Sequence, residues 1–97
     1  MNQEQHAFLK LGEECNEVAM LCSKIMQFGL DSEYEGKTNR QRLTEELNDI
    51  MGCLLNLRVE TDFDFVEDRE AVWKKFEKME RFRKISEQLG FVAPSTK

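Results

Sequence analysis

The stretches Glu13-Glu14-Cys15-Asn16-Glu17 and Glu46-Leu47-Asn48-Asp49 each place two carboxylates three positions apart. Both stretches lie in segments whose apolar residues recur every three or four positions, which indicates amphipathic helices. In an α-helix, residues i and i+3 lie on the same face. The sequence therefore predicts a pair of carboxylates on each of two helices, Glu14 with Glu17 and Glu46 with Asp49.

Two such helices, packed antiparallel, would bring the four carboxylates around one small volume. Like charges at that range repel strongly in a protein interior, and a divalent cation removes the conflict. A set of carboxylate ligands without His or Cys favours Mg²⁺ or Mn²⁺. The sequence thus predicts a metal site with four ligands, which are Glu14, Glu17, Glu46 and Asp49.

Length and composition favour one soluble helical domain over residues 1–97. The 14 basic and 19 acidic residues give a net charge of −5, and charged residues make up 34% of the chain. An acidic protein is poorly suited to bind polymeric nucleic acid, which requires a basic surface. A nucleotide is not excluded, because its phosphates could be bound through a metal ion.

The three cysteines, Cys15, Cys22 and Cys53, fall at positions that read as helical. They form neither a CxxC pair nor a Cys/His cluster, so zinc is disfavoured and reduced, packed thiols are expected. The N-terminal residues lack the pattern of a signal peptide, and no apolar run approaches the roughly 18 residues of a membrane span. A cytoplasmic location without membrane contact is therefore expected.

Helix start and stop signals predict three main helices. The first should begin near Asn2 or Gln3 and end near Phe28, because Gly29 can adopt the positive φ that commonly ends a helix. Residues 29–37 form a short polar loop bounded by glycines. Thr38 and Gln41 then fit the capping box of a second helix, which should run to about Glu60.

The third helix is expected from about Phe65 to Leu89, with Asp64 as its N-cap and Gly90 as its stop. Residues 91–97 are expected to be a loose tail. Three helices of this length, with a wide apolar stripe on the second, leave much apolar surface for so short a chain to bury. We therefore predict an all-α fold of three main antiparallel helices that assembles into a symmetric homodimer or homotetramer.

The acidic pattern is similar to that of a known family. EExxE followed by ExxD, here with 28 residues between Glu17 and Glu46, resembles the all-α nucleoside triphosphate pyrophosphohydrolases of the MazG-like superfamily. Arg42, four residues before Glu46, matches a basic residue of that family, and Lys75-Phe76 resembles its Lys-Phe signature. The likeness covers roughly residues 8–80.

The resemblance implies a MazG-like fold and Mg²⁺-dependent hydrolysis of a nucleoside triphosphate between its α and β phosphates. It assigns the metal to Glu14, Glu17, Glu46 and Asp49, and it makes Arg42 and Lys75 candidates to bind phosphate. Two positions depart from the family pattern: Met79 replaces an Arg, and Trp73 replaces an Asn. Lys74 or Lys78 could take over the phosphate contacts.

Several assignments remain open from sequence. Glu13 and Glu45 flank the ligands, and either could act as general base on a metal-bound water or orient a ligand. Glu45 could equally pair with Arg42, three residues before it. Trp73 fits a core position better than a base-stacking one. The rival to the enzyme hypothesis is a non-catalytic helical oligomerisation module that retains the acidic motif.

Overall fold

A computed structural model describes residues 1–94 and residue 96. The described residues form three helices and one small hairpin, so the all-α prediction is confirmed at that level. The elements are α1 (Gln3–Phe28), β1 (Glu33–Tyr34), β2 (Lys37–Thr38), α2 (Asn39–Glu60) and α3 (Arg69–Gln88). The chain divides into two compact units, Met1–Phe65 and Val66–Lys97, which are described in turn.

Helix α1 begins and ends where the sequence predicts. The side chain of Asn2 accepts a hydrogen bond from the Gln5 N–H at 2.8 Å, and the Gln5 side chain accepts one from the Asn2 N–H at 2.9 Å. This reciprocal pair is a capping box, which satisfies two N–H groups that a helix start leaves free. At the other end Gly29 has φ +89°, and its N–H donates to the Ile25 carbonyl.

The start of α2 is also confirmed. Thr38 is its N-cap, and the Thr38 hydroxyl and Gln41 side chain form the predicted capping box. The helix ends at Glu60, and the N–H of Thr61 donates to the Leu57 carbonyl at 2.9 Å. Caps are local signals, which is why both ends could be predicted.

The segment predicted as a loop, residues 29–37, contains most of a short β-hairpin. Strands β1 and β2 pair antiparallel, and the two residues between them, Glu35 and Gly36, have φ values of +50° and +81°. Two successive positive φ values are typical of the type I′ turn, whose twist matches that of a hairpin. Strands of two residues leave no periodic pattern, so the sequence did not indicate them.

Backbone hydrogen bonds tie this connection to the start of α2. The Asn39 N–H donates to the Ser32 carbonyl at 3.1 Å, and the Arg40 N–H donates to the Leu30 carbonyl at 2.8 Å. Arg40 also donates through Nε to Asp31 at 3.0 Å, and this hydrogen bond together with the guanidinium charge lowers the pKa of the Asp31 carboxyl. The hairpin is therefore held against the α1–α2 pair.

Helices α1 and α2 pack antiparallel, as predicted. Positions early in α2 lie beside positions late in α1: Arg42 borders a cavity together with Lys24, whereas Glu46 lies against Glu14 and Glu17. Within residues 1–94 and 96, the buried hydrophobic side chains are those of Ala7, Leu21 and Leu57. This core is small.

One apolar stripe of α2 is largely exposed. It consists of four residues spaced four apart, and 48–76% of each side chain is exposed. They are Leu47, Met51, Leu55 and Val59. This α2 stripe is the surface for which the sequence predicts a partner.

The second unit contains α3, and its start differs from the prediction. Helix α3 begins at Arg69, and its N-cap is Asp68, whose side chain accepts from the Ala71 N–H at 3.1 Å. The predicted cap, Asp64, instead accepts a hydrogen bond from Arg58 Nε at 2.7 Å. The prediction of a start near Phe65 was wrong because two Asp residues compete, and Asp64 is engaged by α2.

This correction gives a testable expectation. Asp68→Ala should destabilise the first turn of α3 by about 1 kcal/mol, because an orphan N–H loses its acceptor. Asp64→Ala is the matched control, since it removes only an exposed ion pair worth about 0–1 kcal/mol. Amide hydrogen exchange of residues 70–73 measures the effect. Equal acceleration of exchange in both variants would contradict the assignment of the cap.

The C-terminal end follows the prediction within one residue. Helix α3 ends at Gln88, and Gly90 has φ +83°. The N–H of Phe91 donates to the Ser86 carbonyl at 2.9 Å, and residues 91–94 and 96 lie outside any helix or strand. Of the predicted loose tail, Ser95 and Lys97 lie outside the described residues. No helix in the described part of the chain combines the length and apolar character that a membrane span needs.

Candidate metal centre

Three acidic side chains from α1 and α2 converge in the first unit. Glu14, Glu17 and Glu46 each offer one carboxylate oxygen, and these oxygens all lie within 4.8 Å of one another. Glu14 and Glu17 are one helical turn apart on α1, and antiparallel packing sets Glu46 opposite them. The structure thus brings together three of the four predicted metal ligands. We refer to these residues as the carboxylate trio.

Two oxygens of the carboxylate trio have no partner. Glu14 Oε2 and Glu46 Oε2 are buried and accept no hydrogen bond from the described residues. A buried polar atom without a partner costs about 1–3 kcal/mol, and more when it is charged. An added cation would satisfy both atoms and offset the repulsion among the three carboxylates.

The crowding changes the acidity of Glu46. Burial, followed by the neighbouring carboxylates of Glu14 and Glu17, raises the pKa of Glu46 to about 7. Burial disfavours the ionised form by removing water, and the neighbouring carboxylates favour a proton shared among them. Without a cation, the trio therefore retains a proton into the neutral range.

The fourth predicted ligand, Asp49, lies outside the carboxylate trio. It is exposed and stands one helical turn beyond Glu46 on α2. The charges of Glu14 and Asp49 both act on the Cys53 thiol, which places Asp49 along the same α1–α2 junction. Asp49 is therefore at the edge of the site.

Cys53 lies at this junction, and its thiol is not activated. Burial, followed by the nearby negative charges, raises the pKa of the Cys53 thiol, so that thiol stays protonated at neutral pH. All three thiols are free. Cys53 is half-buried, whereas Cys15 and Cys22 are exposed, so the prediction of packed thiols is wrong for those two within this chain.

The two candidate general bases differ in position. Glu45 lines a cavity of about 220 Å³ that also touches Glu17 and Glu46. Both carboxylate oxygens of Glu45 accept from Lys37 Nζ, at 2.9 and 3.0 Å, so its ion-pair partner is Lys37 and not Arg42. Glu13 pairs with Lys10 at 3.1 Å and does not line this cavity.

Two cations line the same cavity. Arg42, predicted to bind phosphate, donates to the Tyr34 carbonyl and lies over the Tyr34 ring at 5.8 Å. Lys24 was missed from sequence, although it stands seven positions after Glu17 and so lies on the same face of α1. In the described part of the chain Lys24 forms no ion pair.

The other predicted phosphate-binding residues, Lys75 and Lys78, belong to α3 in the second unit. Both line a surface cavity of about 440 Å³, and Lys78 Nζ lies 5.8 Å from the centre of the Phe82 ring. Lys74 pairs instead with Glu70 at 3.1 Å. Trp73 stacks on Phe76 at 5.2 Å but is 61% exposed, so its expected core position is not observed in the chain.

Comparisons with models of protein families, with curated proteins and with solved structures each found no match to this chain.

Proposed function

We propose that this protein is a Mg²⁺-dependent pyrophosphohydrolase of a (deoxy)nucleoside triphosphate, which it splits into a monophosphate and pyrophosphate. The observation that carries the proposal is the carboxylate trio with its two unpartnered buried oxygens, on Glu14 and Glu46. The trio adjoins a cavity lined by Lys24 and Arg42. The sequence resemblance to MazG-like enzymes supports the same reaction.

The donor set fits Mg²⁺ or Mn²⁺. Both ions prefer hard oxygen ligands, and three carboxylates leave coordination positions for water and phosphate oxygens. We assign Glu14, Glu17 and Glu46 as direct ligands, with Asp49 as a fourth from the edge of the site. When bound, the ion would neutralise charge on the phosphates during their transfer.

The remaining residues would bind the substrate and move a proton. Arg42 and Lys24 are placed to contact phosphate oxygens through charged hydrogen bonds. The resemblance implies a phosphate contact for Lys75, for which Lys78 could substitute. Of the two candidate bases, we assign proton transfer to Glu45, because it lines the cavity and Glu13 does not.

The direct test is pyrophosphate release from a panel of standard and modified nucleoside triphosphates, with Mg²⁺ and with a chelator. We expect release with Mg²⁺, a preference for one base or sugar, and none with the chelator. Absence of release from every nucleotide would instead favour the non-catalytic oligomerisation module.

We also propose that the protein is a homodimer or homotetramer in the cytoplasm. A large contiguous apolar patch on the surface of one chain commonly marks a site that a partner covers. The α2 stripe, from Leu47 to Val59, presents such a surface. A closed symmetric assembly would cover it with the same surface of a second copy.

Leu55→Glu in the centre of the α2 stripe is expected to weaken self-association by about tenfold or more, because the interface would bury an unpaired carboxylate. Analytical ultracentrifugation over a range of protein concentrations measures the change. Gln27→Glu, which adds the same charge at an exposed polar position of α1, is the control. Unchanged association of the Leu55 variant would show that the stripe is not the interface.

A further inference from the structure

A second cavity adjoins the carboxylate site. Its volume is about 480 Å³, and it shares three lining residues, Leu21, Lys24 and Arg42, with the smaller cavity beside the trio. Its other walls come from the end of α1, from strand β1 with the residue before it, and from the start of α2. They are Phe28, Ser32, Glu33, Tyr34 and Asn39.

The walls of the second cavity suit a flat aromatic group with polar edges. Phe28 and Tyr34 are 67% and 68% exposed, so both present ring surface to the solvent. Asn39 is 7% exposed, and its Nδ2 donates to the Gly29 carbonyl at 3.0 Å, which fixes the side chain. Stacking on an aromatic ring suits any base, while polar groups at the edge provide selectivity.

Along the two cavities, α1 and α2 each place a carboxylate first, then a cation, and then a residue that lines the second cavity. On α1, Glu17, Lys24 and Phe28 follow one another, and Glu17 and Phe28 lie about 16 Å apart along the axis at about 1.5 Å per residue. On α2 the order is Glu46, Arg42 and Asn39. Carboxylates at one end, cations in the middle and an aromatic pocket at the other match an extended nucleoside triphosphate with its metal ion.

We propose that the second cavity binds the nucleoside part of the substrate, with the base against Tyr34 and Phe28. Lys24 and Arg42, which border both cavities, would contact the phosphates that pass between them. This inference rests on the proposed function, because it uses the same substrate and the same carboxylate site. It makes Tyr34, Phe28 and Asn39 the residues that determine which nucleotide is accepted.

The test compares a nucleotide with its phosphate part alone. Binding of a triphosphate that cannot be cleaved between its α and β phosphates, and of inorganic tripolyphosphate, is measured by calorimetry with Mg²⁺. Tyr34→Ala and Phe28→Ala should each weaken nucleotide binding by about tenfold. Neither substitution should weaken binding of tripolyphosphate by a comparable factor. The Phe28 variant leaves the contact between Arg42 and Tyr34 intact.

Two controls accompany these variants. Tyr34→Phe keeps the stacking ring, so its affinity for the nucleotide should be higher than that of Tyr34→Ala. Met26→Ala removes an exposed side chain of α1 that lines neither cavity, and it should have no effect.

The outcomes of this test distinguish the pocket assignment from the proposed pyrophosphohydrolase activity. If the wild type binds the nucleotide with Mg²⁺ but both alanine variants match it, the pocket assignment is wrong while the reaction stands. Equal weakening of nucleotide and tripolyphosphate binding would also overturn the assignment. Selective weakening together with no cleavage of any natural nucleotide would leave the pocket in place and overturn the hydrolase. No binding of nucleotide by the wild type would overturn both.

Discussion

Glu46→Gln is expected to lower kcat/KM for Mg²⁺-dependent pyrophosphate release by more than about a hundredfold. Loss of a residue that only supports a metal ligand typically costs about 10–100-fold, and Glu46 would be a direct ligand. Its Oε2 is buried without a partner, so the amide cannot replace the charge that the cation requires. Steady-state kinetics over a range of Mg²⁺ concentrations measures the loss.

Two controls show whether the loss is specific. Glu60→Gln removes an exposed charge from the end of the same helix and should retain full activity. In chelator, Glu46→Gln should unfold at the same temperature as the wild type or higher, because it removes a crowded carboxylate. Asp49→Asn tests the fourth ligand and should lower activity as well. Full activity of Glu46→Gln would refute the metal site.

Affinity for Mg²⁺ should fall by about fiftyfold between pH 7 and pH 5. Burial and then the neighbouring carboxylates hold the pKa of Glu46 at about 7, and a ligand must lose its proton to bind metal. One proton released on binding gives about a tenfold change in affinity per pH unit below the pKa. Above pH 7 the affinity should level off. Calorimetric titration in buffers of different ionisation enthalpy measures both affinity and proton release.

The metal-free protein should show the opposite trend in stability. The pKa of Glu46 is raised from 4.5 to about 7 in the folded chain, so between these values the folded state holds a proton that the unfolded state has released. The contribution of Glu46 to stability is therefore full below about pH 4.5 and is lost as the pH rises through 7. Glu46→Gln should remove this component from denaturation curves in chelator. Unchanged curves would contradict the assigned acidity.

The parts of the fold that sequence could predict are those set by local chemistry. The caps at Asn2, Gly29 and Thr38 fix the ends of α1 and the start of α2 through neighbouring groups alone. The start of α3 was misplaced because Asp64 and Asp68 are both acceptable caps. The choice between them depends on Arg58, which reaches Asp64 from the preceding helix.

The candidate site likewise contains residues that sequence could predict and residues that it could not. Glu14, Glu17 and Glu46 follow from helical spacing, which the apolar pattern predicts, together with the expected antiparallel packing of the two helices. Lys37 as the partner of Glu45 could not be predicted, because the contact depends on how β2 leads into α2 and joins residues eight positions apart. The aromatic wall at Tyr34 was missed for a related reason: its place depends on how a polar connection folds back.

The hairpin carries a part of the proposed substrate site that is separate from the carboxylates. The carboxylates belong to the regular helices α1 and α2, whereas Tyr34 is carried by two-residue strands that turn at Glu35 and Gly36. Loops tolerate exchange and insertion far better than packed helices do. Under the proposed assignment, changes of sequence or length in this connection could alter the range of accepted nucleotides over evolution. The machinery for cleavage would be inherited unchanged.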